Sequence, residues 1–273
     1  MRVLLLGATG NVGSRLLPAL IAHKHEVVLY VRNPAKLSTN ATSRALAIES
    51  GSATDSNKIK NAILAHKCDA VINAAGLAPA FGKSPELPVI FAAVMDAALA
   101  ARKERGGAPI RVWLLSGQGV MDHPRKGKTL MDLYVAPQEV VKCRVLTETN
   151  SVPIYTTHRQ NYERIRSVPA DQLAWSLFCA NNMPPRSEAV DYNPTAGTDA
   201  DNLISRVDAP PAWSNTLLWI PFLGNYLNVM AQAQGYFATL EYCTDFIARD
   251  LNAGLQSELV GHRVGVKVKA KSS

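Results

Sequence analysis

Six stretches of this chain read as β-strands, and helical patterns separate most of them. RVLLL (2–6), EVVLYVR (26–32), ALAIES (45–50), DAVINAAG (69–76), IRVWLLSGQG (110–119) and QLAWSLFCA (172–180) are the strand candidates. Four of the six are almost continuously apolar rather than alternating. Strands of that kind are buried on both faces of a parallel sheet. The intervening segments carry helical spacing: NVGSRLLPALIAHK (11–24), with Pro18 inside it, SNKIKNAILAHK (56–67), residues 87–105 and a helix near 156–167. NPAKLS carries a helix-starting proline. Thr54 or Asp55 is the expected cap of the 56–67 helix, and Thr244 or Asp245 that of TDFIARDLNAGL (244–255). Strands joined by helices of this length form right-handed βαβ units, so the expected fold is a doubly wound α/β sheet.

The rhythm breaks after residue 184. MPPRSEAVDYNPTAGTDADN is rich in turn residues and reads as a long surface loop, and GHRVGVKV as a final short strand. The chain is therefore expected to divide into a sheet domain at 1–183, a substrate-covering extension at 184–243, and a terminal helix and strand at 244–273 that return to the core.

Composition narrows the class. The 273 residues are 47% apolar and 19% charged, which suits a globular protein with a sizeable core. Four separated cysteines, without a C-x-x-C pair, read as reduced thiols in a cytoplasmic protein, and no histidine spacing suggests a metal. The formal charge is +7, of which the last twelve residues supply four through Arg263, Lys267, Lys269 and Lys271. A solvated tail accounts for that excess better than a nucleic-acid or lipid partner. WSNTLLWIPFLGNYLNVM (213–230) is too interrupted for a membrane span and is expected to form a lid over a cavity or the face of a homodimer.

The densest chemistry lies at the start. Strand one runs into Gly7-x-x-Gly10-x-x-Gly13 and then a helix. That order suits a pyrophosphate: the first glycine turns tightly, the second lets backbone approach the ligand, and the third lets helix and strand pack closely. Gly7, Thr9, Gly10, Asn11, Val12 and Gly13 are the expected contacts, with Ser14 or Thr9 adding a hydroxyl. An acid at the end of strand two would accept bonds from an NAD ribose. This chain has Arg32, then Asn33 and Lys36, and a guanidinium suits a 2′-phosphate, so NADPH is the expected cofactor. Ala74, Ala75 and Gly76 end strand four where small residues admit the adenine-ribose side. Ser116, at the end of strand five, is either a catalytic hydroxyl near the nicotinamide or a turn former.

GATGNVG, YVRNPAK, NAAG, LAWSLFCANNMP and TDFIARDL together resemble the atypical, NmrA-like branch of the short-chain dehydrogenase/reductases. The resemblance implies a Rossmann fold, NADP(H) and a small organic substrate. The Tyr-x-x-x-Lys pair of that superfamily is absent; Tyr155-x-x-x-Arg159 stands about where it would fall, followed by Tyr162-x-x-x-Arg166. Arginine supplies the charge but no proton relay. Tyr155, His158, Arg159 and Tyr162 are the catalytic candidates beside Ser116, His158 as a general acid with an ordinary pKa near 6.5. Two further departures are Cys179, where the superfamily often has arginine, and Ser52, where a glycine-acid pair often touches adenine. The expected activity is reduction of a carbonyl, enone or quinone-like ring, with Trp213, Trp219, Phe222 and Tyr226 walling the substrate. A cofactor-sensing regulator without turnover, and a non-redox isomerase or dehydratase, are the alternatives the residues leave open.

Overall fold

The structure, a computed structural model, describes residues 1–76, 86–124, 127–134 and 153–270. Eight strands form one sheet in the order β3-β2-β1-β4-β5-β6-β8-β7: β1 Arg2–Leu6, β2 Glu26–Val31, β3 Ala47–Ser50, β4 Ala70–Asn73, β5 Ile110–Gly117, β6 Leu173–Ala180, β7 Leu203–Val207 and β8 His262–Val268. All neighbours are parallel except β7 and β8. The helices are α1 Asn11–Ala22, α2 Thr39–Arg44, α3 Ser56–Ala65, α4 Glu86–Arg105, α5 Leu130–Tyr134, α6 Pro153–Ile165, α7 Gly224–Gln234 and α8 Leu240–Asp250.

The continuous apolar runs explain the two layers of helix. Side chains alternate across a strand, so Leu4 and Leu6 enter one core with Ile59, Ile63, Val94 and Ala98 of α3 and α4. Val3 and Leu5 enter the other with Leu16, Leu20, Phe246 and Ile247 of α1 and α8. β4 and β6 are buried along their whole length because both faces are covered. The strand order reverses between β1 and β4, which leaves a crevice outside their carboxyl ends, the usual ligand position in such sheets.

Several local expectations are corrected. Thr239, not Thr244 or Asp245, caps α8; both of the latter are buried within the helix. The Asp245 carboxylate instead accepts from the Gly197 and Ala200 amides at 3.0 and 2.8 Å and pairs with His23 at 2.7 Å. The 183–202 loop leads into an unforeseen edge strand, β7, antiparallel to β8. The terminal basic run is not simply solvated. Arg263 is only 4% exposed and is held by Asp122 at 2.7 Å and Asp208 at 3.2 Å, with the Tyr162 ring 4.4 Å away. Asp55 does cap α3, accepting from the Lys58 amide at 3.0 Å.

Two buried ion pairs tie the last helix to the core. Arg111 on β5 is fully buried and donates to Asp250 at 2.7 Å; Trp113 Nε1 reaches the same oxygen at 2.9 Å, and Ser257 donates to the other. Arg15 on α1 donates to Glu241 at 2.8 Å and to the carbonyls of Ser187 and Glu188. The second pair holds the segment after β6 against the first helix.

Candidate functional site

The turn after β1 is built from backbone. Gly7 has φ +83°, and a Cβ there would lie 2.5 Å from Ala74 and Ala75 backbone atoms. A Cβ at Gly13 would lie 2.6 Å from the Gly7 carbonyl carbon and 2.8 Å from Ala8 Cα, with the Gly7 oxygen closer still. Both glycines are therefore demanded by packing of α1 and the β4 loop. Gly10 differs: its Cβ would meet only the Gly7 oxygen, at 3.3 Å. Its outward side is open, and Gly10 caps α1 without a side-chain bond. Thr9, Gly10 and Asn11 are exposed, and no acid sits in the first turn. The free N–H groups and positive dipole end of a twelve-residue helix thus face a space that no side chain fills. These residues fit a pyrophosphate. Ser14 donates to the Asn11 carbonyl at 3.2 Å, and Arg15 steadies the Asn11 side chain at 3.2 Å.

At the end of β2, Arg32 is exposed and has no ion pair among the described residues. Asn33 caps the turn Pro34–Lys36 by accepting from the Ala35 amide at 3.1 Å, and Lys36 is exposed beside it. Glu26, the only acid of β2, lies at its far end and pairs with Arg2. Ser52 is used internally: its hydroxyl meets that of Thr54 at 2.8 Å, and its carbonyl accepts from Tyr30 at 3.1 Å.

Between the carboxyl ends of β4, β5 and β6 lies a cavity of about 370 Å³. Val12, Asn73, Ala74, Ala75 and Gly76 line it on the side of the glycine turn; Leu87 and Phe91 of α4 give an apolar wall. Ser116, Gly117 and Gln118 close the β5 end, His158 and Asn161 reach in from α6, and Ala180, Asn181 and Met183 follow β6. Ser116 and His158 are thus brought together. Ser116 pairs across the sheet with Cys179, whose thiol is pushed up to about 12 by burial, the Arg263 charge and the Ser116 hydroxyl opposing. His158 lies against Gly117, and its Nδ1 is buried without a partner. Burial lowers its pKa to about 4, so the imidazole is neutral at physiological pH. The expectation of an ordinary histidine pKa is overturned by that burial.

Two of the other catalytic candidates, Arg159 and Tyr162, lie elsewhere. Arg159 is half-exposed and pairs with Asp132. Tyr162 packs beneath Arg263, away from the lining, and burial raises its pKa, that arginine opposing. The Tyr155 side chain lies outside the described residues. None of the four expected substrate-wall aromatics lines the cavity. Trp213 packs on His123 and Tyr236, while Trp219 and Phe222 are 77% and 89% exposed. Gln118 and Asn161 were not foreseen. Both sat in stretches read only as a strand end and a polar helix face, and their convergence needs α6 to lie against the turn after β5.

The chain matches known proteins at two levels. Residues 7–142 match the family model described as NAD(P)H-binding. No curated protein matches it in sequence. Among solved structures, a candidate epimerase from Bacteroides thetaiotaomicron superposes with a TM-score of 0.64 at 17% identity, covering 100% of this chain and 99% of that one. A candidate NAD-dependent epimerase/dehydratase from Bacillus halodurans gives 0.60 at 18%, covering 98% and 94%. A candidate NADH-flavin reductase from Streptococcus pneumoniae gives 0.61 at 16%, covering 98% and 100%. At these identities the likeness is one of fold, a Rossmann-type sheet. Among the described residues no helix is long and apolar enough to cross a membrane. The glycine turn, the crevice it opens on and the family match agree: residues 7–142 form an NAD(P)H-binding domain, which carries a nicotinamide-cofactor site.

Proposed function

We propose that this protein is an NADPH-dependent oxidoreductase that reduces a carbonyl, enone or quinone-like group on a small organic substrate. The observation that carries this reading is the cavity where Ser116 and a neutral His158 meet the small residues Ala74–Gly76 beside the phosphate turn. Thr9–Gly13 would hold the pyrophosphate, and Arg32 with Lys36 the 2′-phosphate. Bound NADPH supplies the hydride.

The chain's own residues then do the polar work. The Ser116 hydroxyl and the His158 N–H donate to the acceptor oxygen as negative charge builds on it. Donors fixed in a dry site favour the transition state more than the ground state. Because His158 is already neutral, it polarises the carbonyl rather than acting as an imidazolium acid. The proton that the substrate oxygen takes up would come from water. Leu87 and Phe91 exclude solvent from one wall.

The test is NADPH oxidation, followed by absorbance, across a panel of neutral ketones, enones, quinones and a free flavin. The reading predicts turnover with at least one class and a loss of about a hundredfold or more in kcat for Ser116→Ala. Product formed without cofactor oxidation would place the protein among isomerases or dehydratases. Tight NADPH binding with no turnover would favour a cofactor-sensing role.

A further inference from the structure

The cavity holds more hydrogen-bonding groups than one carbonyl oxygen can use. Gln118, just past β5, is only 7% exposed, lines the cavity, and has a buried Nε2 without a partner. Asn161, one turn along α6 from His158, is 6% exposed and lines the same space. A buried amide is ordinarily hydrogen-bonded, and one that is not calls for a missing ligand or water. Ser116 and His158 already suffice for a single oxygen under reduction. The Gln118 amide lies beside them with its nitrogen unpaired, and the Asn161 amide lines the same space. No Lys, Arg, Asp or Glu joins them in the lining among the described residues, and the facing wall is Leu87 and Phe91.

Resting on the oxidoreductase reading above, we propose that Gln118 and Asn161 determine specificity. They hold a second, uncharged oxygen function of the substrate, a hydroxyl or another carbonyl, on an otherwise apolar ketone. A site with buried amides rejects an analogue lacking their partner, because the amides then remain desolvated and unpaired. The primary amide also tolerates either role, donating to a carbonyl or accepting from a hydroxyl.

Calorimetric titration of the full chain, with and without NADP+, tests this using acetophenone, its three ring-hydroxylated analogues and its ring-carboxylated analogue. The best hydroxyacetophenone should bind about tenfold to a hundredfold more tightly than acetophenone, and more tightly than the carboxylate. In Gln118→Leu and Asn161→Leu that ratio should fall to within about threefold, while the Kd for NADP+ stays unchanged. Three results would overturn the proposal: equal binding of acetophenone and its hydroxy forms to the native chain, a preference that survives both leucine variants, or a tenfold loss of NADP+ affinity in Gln118→Leu. The last would assign the amide to the nicotinamide carboxamide. Absence of NADPH oxidation with every acceptor would instead remove the oxidoreductase reading and leave the binding ratio to decide this one.

Discussion

Replacing Gly13 and Gly10 by alanine separates packing from ligand binding within one turn. At Gly13 the new methyl would lie 2.6 Å from the Gly7 carbonyl carbon and 2.8 Å from Ala8 Cα. Backbone, not a flexible side chain, must give way. Alanine would otherwise favour an α-helical position by about 1 kcal/mol. Overpacking against a fixed core commonly costs about 1–3 kcal/mol, and here the opposing atoms are main chain, so the upper end applies. The net loss is about 2 kcal/mol of stability, and the turn that presents the helix N-terminus is displaced with it. At Gly10 the nearest atom is 3.3 Å away and φ is −88°, which any residue adopts. Gly10→Ala therefore costs at most about 1 kcal/mol, through the weaker cap. It nevertheless places a methyl where a phosphate must approach. Urea denaturation and NADPH titration of both variants make the check. Gly13→Ala should lose stability and cofactor binding together; Gly10→Ala should stay folded and lose cofactor affinity by at least tenfold. Wild-type NADPH affinity in Gly10→Ala would refute the assignment of the turn to a pyrophosphate.

Four other outcomes are expected. Arg32→Ala should weaken NADPH by about tenfold or more and leave NADH unchanged in parallel titrations, since only the former carries the 2′-phosphate. His158 is held near 4 in the fold against about 6.5 unfolded, so the unfolded chain binds the extra proton between those values. Stability it contributes above pH 6.5 is lost as pH falls towards 4, up to about 3 kcal/mol at ~1.4 kcal/mol per unit. His25, also lowered by burial, adds in the same window, so the difference between wild type and His158→Gln in a pH series of urea melts isolates the effect. For the same reason kcat/KM should show no titration of His158 between pH 6 and 8. Asp250→Ala strands the fully buried Arg111 guanidinium and should cost about 3–5 kcal/mol in denaturant unfolding, with little effect on cofactor affinity in the surviving folded fraction.

The sheet was legible because burial on both faces leaves a continuous apolar signature, and four of the six expected strands carry it. β7 was not, since LISRV is a half-exposed edge strand paired, among the described residues, only with β8 at the far end of the chain. The glycine turn was legible because its geometry is local: each glycine answers to atoms within the turn or the adjoining strand. The cavity chemistry is tertiary. His158 has an ordinary pKa by composition and becomes neutral only through burial. Arg263 looks like a tail charge until Asp122, 141 residues earlier, is folded against it. Helix spacing puts His158 and Asn161 on one face, but only the packing of α6 turns that face towards Ser116 and Gln118. The aromatics of 213–226 misled because apolar character marks burial or exposure to a partner as readily as a substrate wall.

The central claim is that the turn at Gly7–Gly13 and the guanidinium at Arg32 together hold a phosphorylated dinucleotide. Titration calorimetry of the folded chain with NADPH and NADH tests it most directly. The account predicts saturable one-to-one binding of NADPH, tighter than NADH, with the difference abolished in Arg32→Ala. Failure of both nucleotides to bind at millimolar concentration, with the fold intact, would contradict it.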